Sequence, residues 1–282
     1  MVRRSVLFTP GDRPEMMRKA PGSGADVIVF DLEDAVSLAR KDEAREAVRA
    51  VLTEPEFDPD SEVCVRVNAD ADRIDADLEG LFAEGTNLRL DSLMLPKAGS
   101  PSDVRDLVST LESHDVSLPV IALIESGAGV LAAPEIAAVP ETDALAFGAE
   151  DLSADVGATV SADGSELAYA RQRVVLAAAA HDCTAIDTLV TDFEDDEQLR
   201  EDAARSVRLG YDGKLAIHPA QVDPINEAFT PSDEELDWAQ RVLEGKREAD
   251  AEGRGVFEVD GEMIDAPLIA QAERLLERAG DR

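Results

Sequence analysis

Acids stand where apolar runs give out. The stretch PVIALIESGAGVL (119–131) is apolar from Val120 to Ile124, then meets Glu125 and a Ser-Gly-Ala-Gly turn. DVIVFDLED (26–34) ends in Asp31, Glu33 and Asp34, and ALAFGAED (144–151) ends in Glu150 and Asp151. Comparable runs carry Arg66 and Asn68 (EVCVRVN, 62–68), Lys97 (SLMLPK, 92–97) and His218 (GKLAIHP, 213–219). A buried, unpaired carboxylate costs several kcal/mol or takes up a proton. Glu125 is therefore either solvated at a strand end or held for a purpose. Carboxylates gathered without a His or Cys cluster suit a hard divalent ion, Mg2+ or Mn2+, which takes its oxygens from one or two carboxylates, water and substrate. On that reading Glu125 and Asp151, at equivalent ends of adjacent strands, converge on one ion. On the other reading Glu125 is an ordinary solvated acid.

Elements must position these residues. With SVLFTP (5–10) and TAIDTL (184–189), the apolar runs number eight, each followed by a helical pattern such as RKDEAREAVRAVL or DEQLREDAARSVRLG. Continuous rather than alternating apolar strands point to a parallel sheet covered on both faces. Eight β–α alternations predict a (β/α)8 TIM barrel, with its active site at the C-terminal ends of the strands. An open doubly wound sheet is the competing arrangement. Beyond the eighth strand, SDEELDWAQRVLEG reads as a helix with Ser232 and Glu235 as a capping box and Leu236, Ala239, Val242 and Leu243 as its apolar stripe. Two short extended pieces around Asp260-Gly261 and a last helix from about Pro267 to Ala279 follow. The expected organisation is a catalytic barrel over 1–220 and a C-terminal helical lid extension over 221–282.

The chain carries 61 acids against 27 Lys and Arg, for a formal charge of −34. Only Lys19, Lys41, Lys97, Lys214 and Lys246 are lysines. Such a surface repels nucleic acid and anionic membrane, and it repels itself unless salt screens it. Acid excess and scarce lysine on an ordinary Ala, Val, Leu and Ile core fit a high-salt, halophilic cytoplasm; a merely acidic protein is the alternative. No apolar run approaches a membrane span, and the start is too short in apolar residues for a secretory signal. Cys64 and Cys183 lack any metal or disulfide spacing and read as small apolar residues.

Taken together, RSVLFTPGDRPEMM, VIVFDLEDAV, VRVN, LMLPKAGS, LIESGAGVL, FGAEDLSADVGA, GYDGKLAIHPAQV and DGEMIDAP resemble the HpcH/HpaI aldolase superfamily. They resemble most its citrate lyase β-subunit-like branch, with the malyl-CoA, β-methylmalyl-CoA and citramalyl-CoA lyases. The resemblance runs the length of the chain; Glu125-Ser126 stands where the family usually has Glu-Thr. It implies a homotrimer or hexamer that uses Mg2+ on coenzyme A thioesters, with acyl-CoA and glyoxylate as small-molecule partners. By position, Glu125 and Asp151 match the Mg2+ ligands. Arg66 matches the arginine that holds the oxo-acid and thioester oxygens, and Asp31, Glu33 and Asp34 match the acids behind the site. Asp265 matches an acid supplied across a subunit interface.

Coenzyme A is a polyanion, so a basic patch is required; Arg3, Arg4, Arg13, Arg18 and Lys19 near the first strand either supply one or are ordinary surface charge at a solvated helix start. Gly127 and Gly129 open the helix after strand five and either bring N–H groups to a substrate carboxylate or only make a tight turn. Lys97 reads as a supporting lysine or, in another aldolase class, a Schiff-base lysine. His218 reads as a structural histidine or a polarising one, and Asp265 has a second reading as a helix cap. The expected activity is Mg2+-dependent cleavage or formation of the carbon–carbon bond of a 3-hydroxyacyl-CoA such as malyl-CoA. A malyl-CoA thioesterase and a citrate lyase β subunit acting on a carrier-bound thioester are the rivals.

Overall fold

The computed structural model describes residues 2–83, 88–161 and 163–280, so the outer bounds expected for the two regions, 1 and 282, lie outside the described residues. Among these residues eight parallel strands close a barrel in chain order: β1 (Ser5–Pro10), β2 (Val27–Asp31), β3 (Glu62–Arg66), β4 (Ser92–Leu95), β5 (Val120–Ile124), β6 (Thr142–Phe147), β7 (Thr184–Asp187) and β8 (Gly213–Ala216). Around them lie α1 (Pro14–Lys19), α2 (Lys41–Leu52), α3 (Ala71–Leu81), α4 (Pro101–Ser113), α5 (Gly127–Ala137), α6 (Ala149–Val156), α7 (Ala168–Ala180), α8 (Asp196–Leu209) and α9 (Val222–Phe229). The expected barrel is the observed one. Among the described residues, no helix is long and apolar enough to cross a membrane.

Strand periodicity explains what reaches the mouth. Val6, Val27, Val29, Cys64, Ile121, Leu123, Ala144 and Ala146 belong to one buried cluster. Side chains on a strand alternate faces with period two. Continuing each series toward the C-terminal end gives Phe8, Asp31, Arg66, Glu125 and Gly148. The same alternation that fills the barrel thus delivers two acids and an arginine to its upper layer. Strand six ends earlier than expected: β5 and β6 are level at Ile124 and Phe147, so Glu125 is level with Gly148. Glu150 and Asp151 lie not on the strand but in the first turn of α6.

At the opposite end, Arg3 closes the floor. Its Nε donates to Glu62 at 2.6 Å, and its Nη1 lies 2.5 Å from Asp143. On the outer face of β7 and β8, a second ionic network ties the sheet to α7 and α8. Arg171 Nε donates to both oxygens of Asp187 at 3.0 and 2.9 Å, and its Nη1 donates to Asp202 at 3.1 Å. Lys214 Nζ, fully buried, donates to Asp202 and to the Thr188 carbonyl at 2.5 Å each. Ser206 Oγ donates to Asp187 at 2.5 Å and Tyr211 Oη to the Arg171 carbonyl at 2.7 Å.

The chain divides within α9: Arg3–Asn226 is one compact unit, and the chain from Glu227 onward belongs to a second. The second unit contains α10 (Asp233–Ala251), β9 (Phe257–Val259), β10 (Glu262–Ile264) and α11 (Ala266–Gly280). Ser232 caps α10 through the expected box with Glu235. That helix runs through Gly245, where a Cβ would fall 2.8 Å from the Phe257 ring. Close packing of the hairpin on α10 explains a glycine inside a helix. Asp260 and Gly261 have φ of +54° and +84°, the pair of positive values that a type I′ turn requires.

Candidate active site at the barrel mouth

Arg66 is the hub. Its Nε and Nη2 donate to the two oxygens of Asp31 at 2.7 and 2.6 Å, a bidentate pair between residues in register on β3 and β2. Its guanidinium lies over the Phe8 ring, 4.7 Å from the centroid. Burial alone would lower the Arg66 pKa, but Asp31 and its neighbours outweigh that and raise it. Nη1 lies 3.2 Å from Glu33 Oε2, yet Glu33 Oε2 is buried without a hydrogen-bond partner. Among the described residues, Nη1 of Arg66 thus makes an ion pair with Glu33 but no hydrogen bond.

Glu33 is held from two sides. Lys97 Nζ donates to its Oε1 at 2.6 Å. Beneath it, buried Lys41 donates to the carbonyls of Leu32 and Glu33, both at 2.6 Å, and so fixes the turn that follows β2. Asp31 tightens the same turn by accepting from the N–H of Glu33 and of Ala35. Burial raises the Glu33 carboxyl, and Arg66 and Lys97 oppose the shift without cancelling it. Asp34 is exposed.

Glu125 is 4% exposed and sits against Gly148, where a Cβ would fall 2.7 Å from its own Cβ. A glycine is required there to admit the carboxylate. Its Oε1 accepts the Lys97 main-chain N–H at 2.7 Å. Burial pushes the carboxyl up to about 8; the Lys97 N–H opposes this, and Glu33 and Asp151 add to it. Lys97 donates that N–H from a left-handed backbone with φ of +53°, a conformation that costs a residue with Cβ about 1–2 kcal/mol. Asp151 is exposed in the first turn of α6, which Thr188 ties to β7 by accepting the Ala149 N–H at 3.1 Å.

The structure thus gathers Asp31, Glu33, Arg66, Lys97 and Glu125 and brings Asp151 close enough to act on Glu125. Other expectations need correction. Arg4 is not at the mouth: its main-chain N–H and Nε both donate to Asp26 at 2.8 Å, ahead of β2 and at the floor with Arg3. Arg13 follows β1 at the mouth with its side chain 61% exposed, and Lys19 is exposed at the end of α1. Arg18 is paired with Glu54. The expected patch is therefore split between two ends of the barrel, because residues before and after one strand lie a strand length apart. Gly127 does not offer its N–H to a ligand, since it donates to Asp155 at 2.8 Å, and the Gly129 N–H is taken by Ser126 Oγ at 3.1 Å. His218 accepts the Ala220 N–H through Nδ1 and stacks on Phe193, the structural reading of that residue. Asp265, in the second unit, is exposed between β10 and α11. Its main-chain carbonyl accepts from Ile269, and among the described residues its carboxylate has no hydrogen-bond partner, which leaves no side-chain cap.

The sequence did not single out Gly148 or Lys41. The alternation of the β6 run points at position 148, and a lysine closing the loop after an acid-rich strand was the available signal for Lys41. A cavity of about 820 Å3 is lined among others by Phe147, Glu150, Thr188, Arg171, Asp202 and Arg205. Glu125, Arg66 and Lys97 are not in its wall.

The donor set fits a hard divalent ion. Glu125 is a buried carboxylate with one N–H donor, and the exposed Asp151 carboxylate lies near enough to act on it. No cluster of three or more His, Cys, Asp or Glu among the described residues forms a complete cage, so water and substrate oxygens would finish the coordination, as Mg2+ prefers.

Residues 4–219 match the family model described as HpcH/HpaI aldolase/citrate lyase. A citrate lyase subunit beta-like protein of Deinococcus radiodurans is 39% identical over 97% of this chain and 96% of its own. The mitochondrial citramalyl-CoA lyase of Mus musculus is 34% identical over 97% and 85%. The (3S)-malyl-CoA thioesterase of Cereibacter sphaeroides is 35% identical over 98% and 94%. The crystal structure of Mycobacterium tuberculosis CitE in complex with magnesium, acetoacetate and coenzyme A superposes with a TM-score of 0.81 at 38% identity, covering 99% of this chain and 98% of the other. The chain belongs to the HpcH/HpaI aldolase/citrate lyase family and is an enzyme of its lyase class.

Proposed function

We propose that this protein is a Mg2+-dependent lyase that cleaves, or forms, the carbon–carbon bond of a 3-hydroxyacyl-CoA such as malyl-CoA or β-methylmalyl-CoA, giving glyoxylate and an acyl-CoA. The observation that carries the reading is the placement, at the same end of the barrel, of a buried Glu125 carboxyl that accepts one N–H and an Arg66 whose Nη1 makes no hydrogen bond among the described residues. The relatives with lyase names and the neighbour that holds magnesium and coenzyme A support it.

Glu125 and Asp151 would hold the ion, which supplies Lewis-acid polarisation of the substrate's carboxylate and hydroxyl oxygens. The chain's own groups do the rest. The hydroxyl proton leaves to a carboxylate at the mouth, the carbon–carbon bond breaks, and its electron pair passes to the acyl thioester as an enolate. Arg66, fixed by Asp31 and Phe8, donates through Nη1 to the developing oxyanion. Glu33 and Lys97 keep that geometry, and Asp34 adds negative charge outside it. Arg13 and Lys19 would bind the coenzyme A phosphates. Asp265, free of local partners, would move the proton at the acyl carbon. In this reading it does so in the mouth of a neighbouring subunit within a homotrimer or hexamer.

A thioesterase is the second reading, favoured by the Cereibacter relative; there water would attack the acyl carbon. A panel of hydroxyacyl-CoA thioesters with and without EDTA decides. The lyase reading expects glyoxylate and acyl-CoA in the presence of Mg2+ and neither after chelation. Free malate with coenzyme A would establish the hydrolase, and no turnover of any free thioester would favour a carrier-bound substrate. Mixing Asp265→Asn with Arg66→Ala protein should restore part of the activity that each lacks; no recovery with proven subunit exchange would place Asp265 outside a shared site.

A further inference from the structure

Four residues other than glycine have positive φ among the described residues: Lys97, Asp115, Asp182 and Asp260. Three are aspartates, whose short polar side chains tolerate this backbone, and each sits just after a helix or in the hairpin turn. Lys97 has neither excuse. It stands between β4 and α4, and two contacts lock the turn around it. The Ala98 N–H donates to the Leu123 carbonyl at 3.2 Å. The Ala98 carbonyl lies where a Cβ on Gly129 would approach to 2.4 Å, so α5 presses directly on the turn. In the turn held this way the Lys97 N–H points at Glu125 Oε1, while Glu125 Oε2 lies against Gly148.

We propose that Lys97 is a positioning residue whose main chain, not its ammonium, sets the orientation of the Glu125 carboxylate for a divalent ion. The inference rests on the reading of Glu125 as a metal ligand. The ammonium has separate work, since it pairs with Glu33. The two parts can be taken apart chemically. Glycine at 97 keeps the amide and adopts positive φ freely, losing only the ammonium. Valine loses the ammonium too, but a β-branched residue resists positive φ, so the turn must relax and withdraw the N–H.

The test is calorimetric titration of the full-length protein with Mn2+, without substrate. Residues that orient a ligand typically change metal affinity by about 10–100-fold. Lys97→Gly should keep the Mn2+ Kd within about threefold of the parent, and Lys97→Val should weaken it by about tenfold or more. Equal affinities in all three proteins, or equal losses in both variants, would overturn the proposal. Should Lys97→Val fail to fold, Lys97→Gly decides alone: a loss of about tenfold would overturn the main-chain role. A parent protein that binds no Mn2+ would instead remove the metal-ligand reading of Glu125 itself.

Discussion

Two ionic networks in this barrel are built from the same parts and do different things. Each centres on an arginine clamped to an aspartate in the sheet: Arg66 with Asp31 at the mouth, Arg171 with Asp187 outside β7. In the outer network, Arg171 and Lys214 face Asp187 and Asp202, two charges against two, and Ser206, Thr188 and Tyr211 complete the hydrogen bonds. Burial there pushes Asp202 up, but Lys214 and Arg171 win and its pKa is lowered. At the mouth, Arg66 and Lys97 face the carboxyls of Asp31, Glu33 and Glu125, with Asp151 acting on Glu125 as a fourth, while Lys41 gives its ammonium to the Leu32 and Glu33 carbonyls. The excess appears as a Glu33 oxygen that has Arg66 in ion-pair range but no hydrogen-bond donor, and a Glu125 carboxyl raised to about 8. A saturated network holds structure; one short of a cation is prepared to receive one.

The comparison is broken most severely on its saturated side. Asp187→Ala takes the acceptor from Arg171 Nε and leaves Asp202 to face both Arg171 and Lys214, and removing one partner of a buried pair costs about 3–5 kcal/mol. Its melting temperature should fall by roughly 2–4 °C for each kcal/mol lost; calorimetric melting that matches the parent would show that the network is not structural.

At the mouth the same kind of change should act on function. Glu125→Gln should cut turnover by roughly 10²-fold or more, because a ligand matters at least as much as the residues behind it, whose loss costs about 10–100-fold. Its effect on stability has a definite sign. An acid whose folded pKa lies above its unfolded value binds more protons when folded, so stability falls as pH rises between the two. Without divalent ions, the parent should therefore lose stability from about pH 4.5 to about pH 8 through this group, and Glu125→Gln should lack that component. Urea midpoints across that range measure it; identical slopes in the two proteins would contradict the raised carboxyl.

The smallest effect concerns the surface rather than either network. With a charge of −34, the fold should melt a few degrees lower in dilute buffer than in molar KCl. Melting that is flat across salt would remove the case for a high-salt protein.

The sequence made the barrel legible because its strands are buried on both faces, so eight apolar runs separated by helical patterns admit few alternatives. It also made the mouth residues legible, since Asp31, Arg66 and Glu125 each end such a run. What it hid depends on geometry that no run displays. Arg4 and Arg13 are near in sequence but flank β1, so they lie at opposite ends of the barrel. Asp151 looked like a strand end, but β6 stops at Phe147, Gly148 caps α6, and Asp151 falls in the first turn of that helix. Gly127 looked like an open anion site, and a distant acid, Asp155, fills it. The left-handed backbone at Lys97 has no sequence signal, since lysine rarely adopts it.

The claim that the mouth lacks one cation is tested most directly by counting protons. A metal that takes over a protonated carboxyl must displace its proton. Titrating the protein with Mg2+ at pH 7, in buffers of different ionisation enthalpy, should show close to one proton released per ion, about the protonated fraction of a carboxyl with a pKa of about 8. Release should vanish well above pH 9 and be absent in Glu125→Gln. Mg2+ binding at pH 7 with no proton released, or with the same release in Glu125→Gln, would contradict the account.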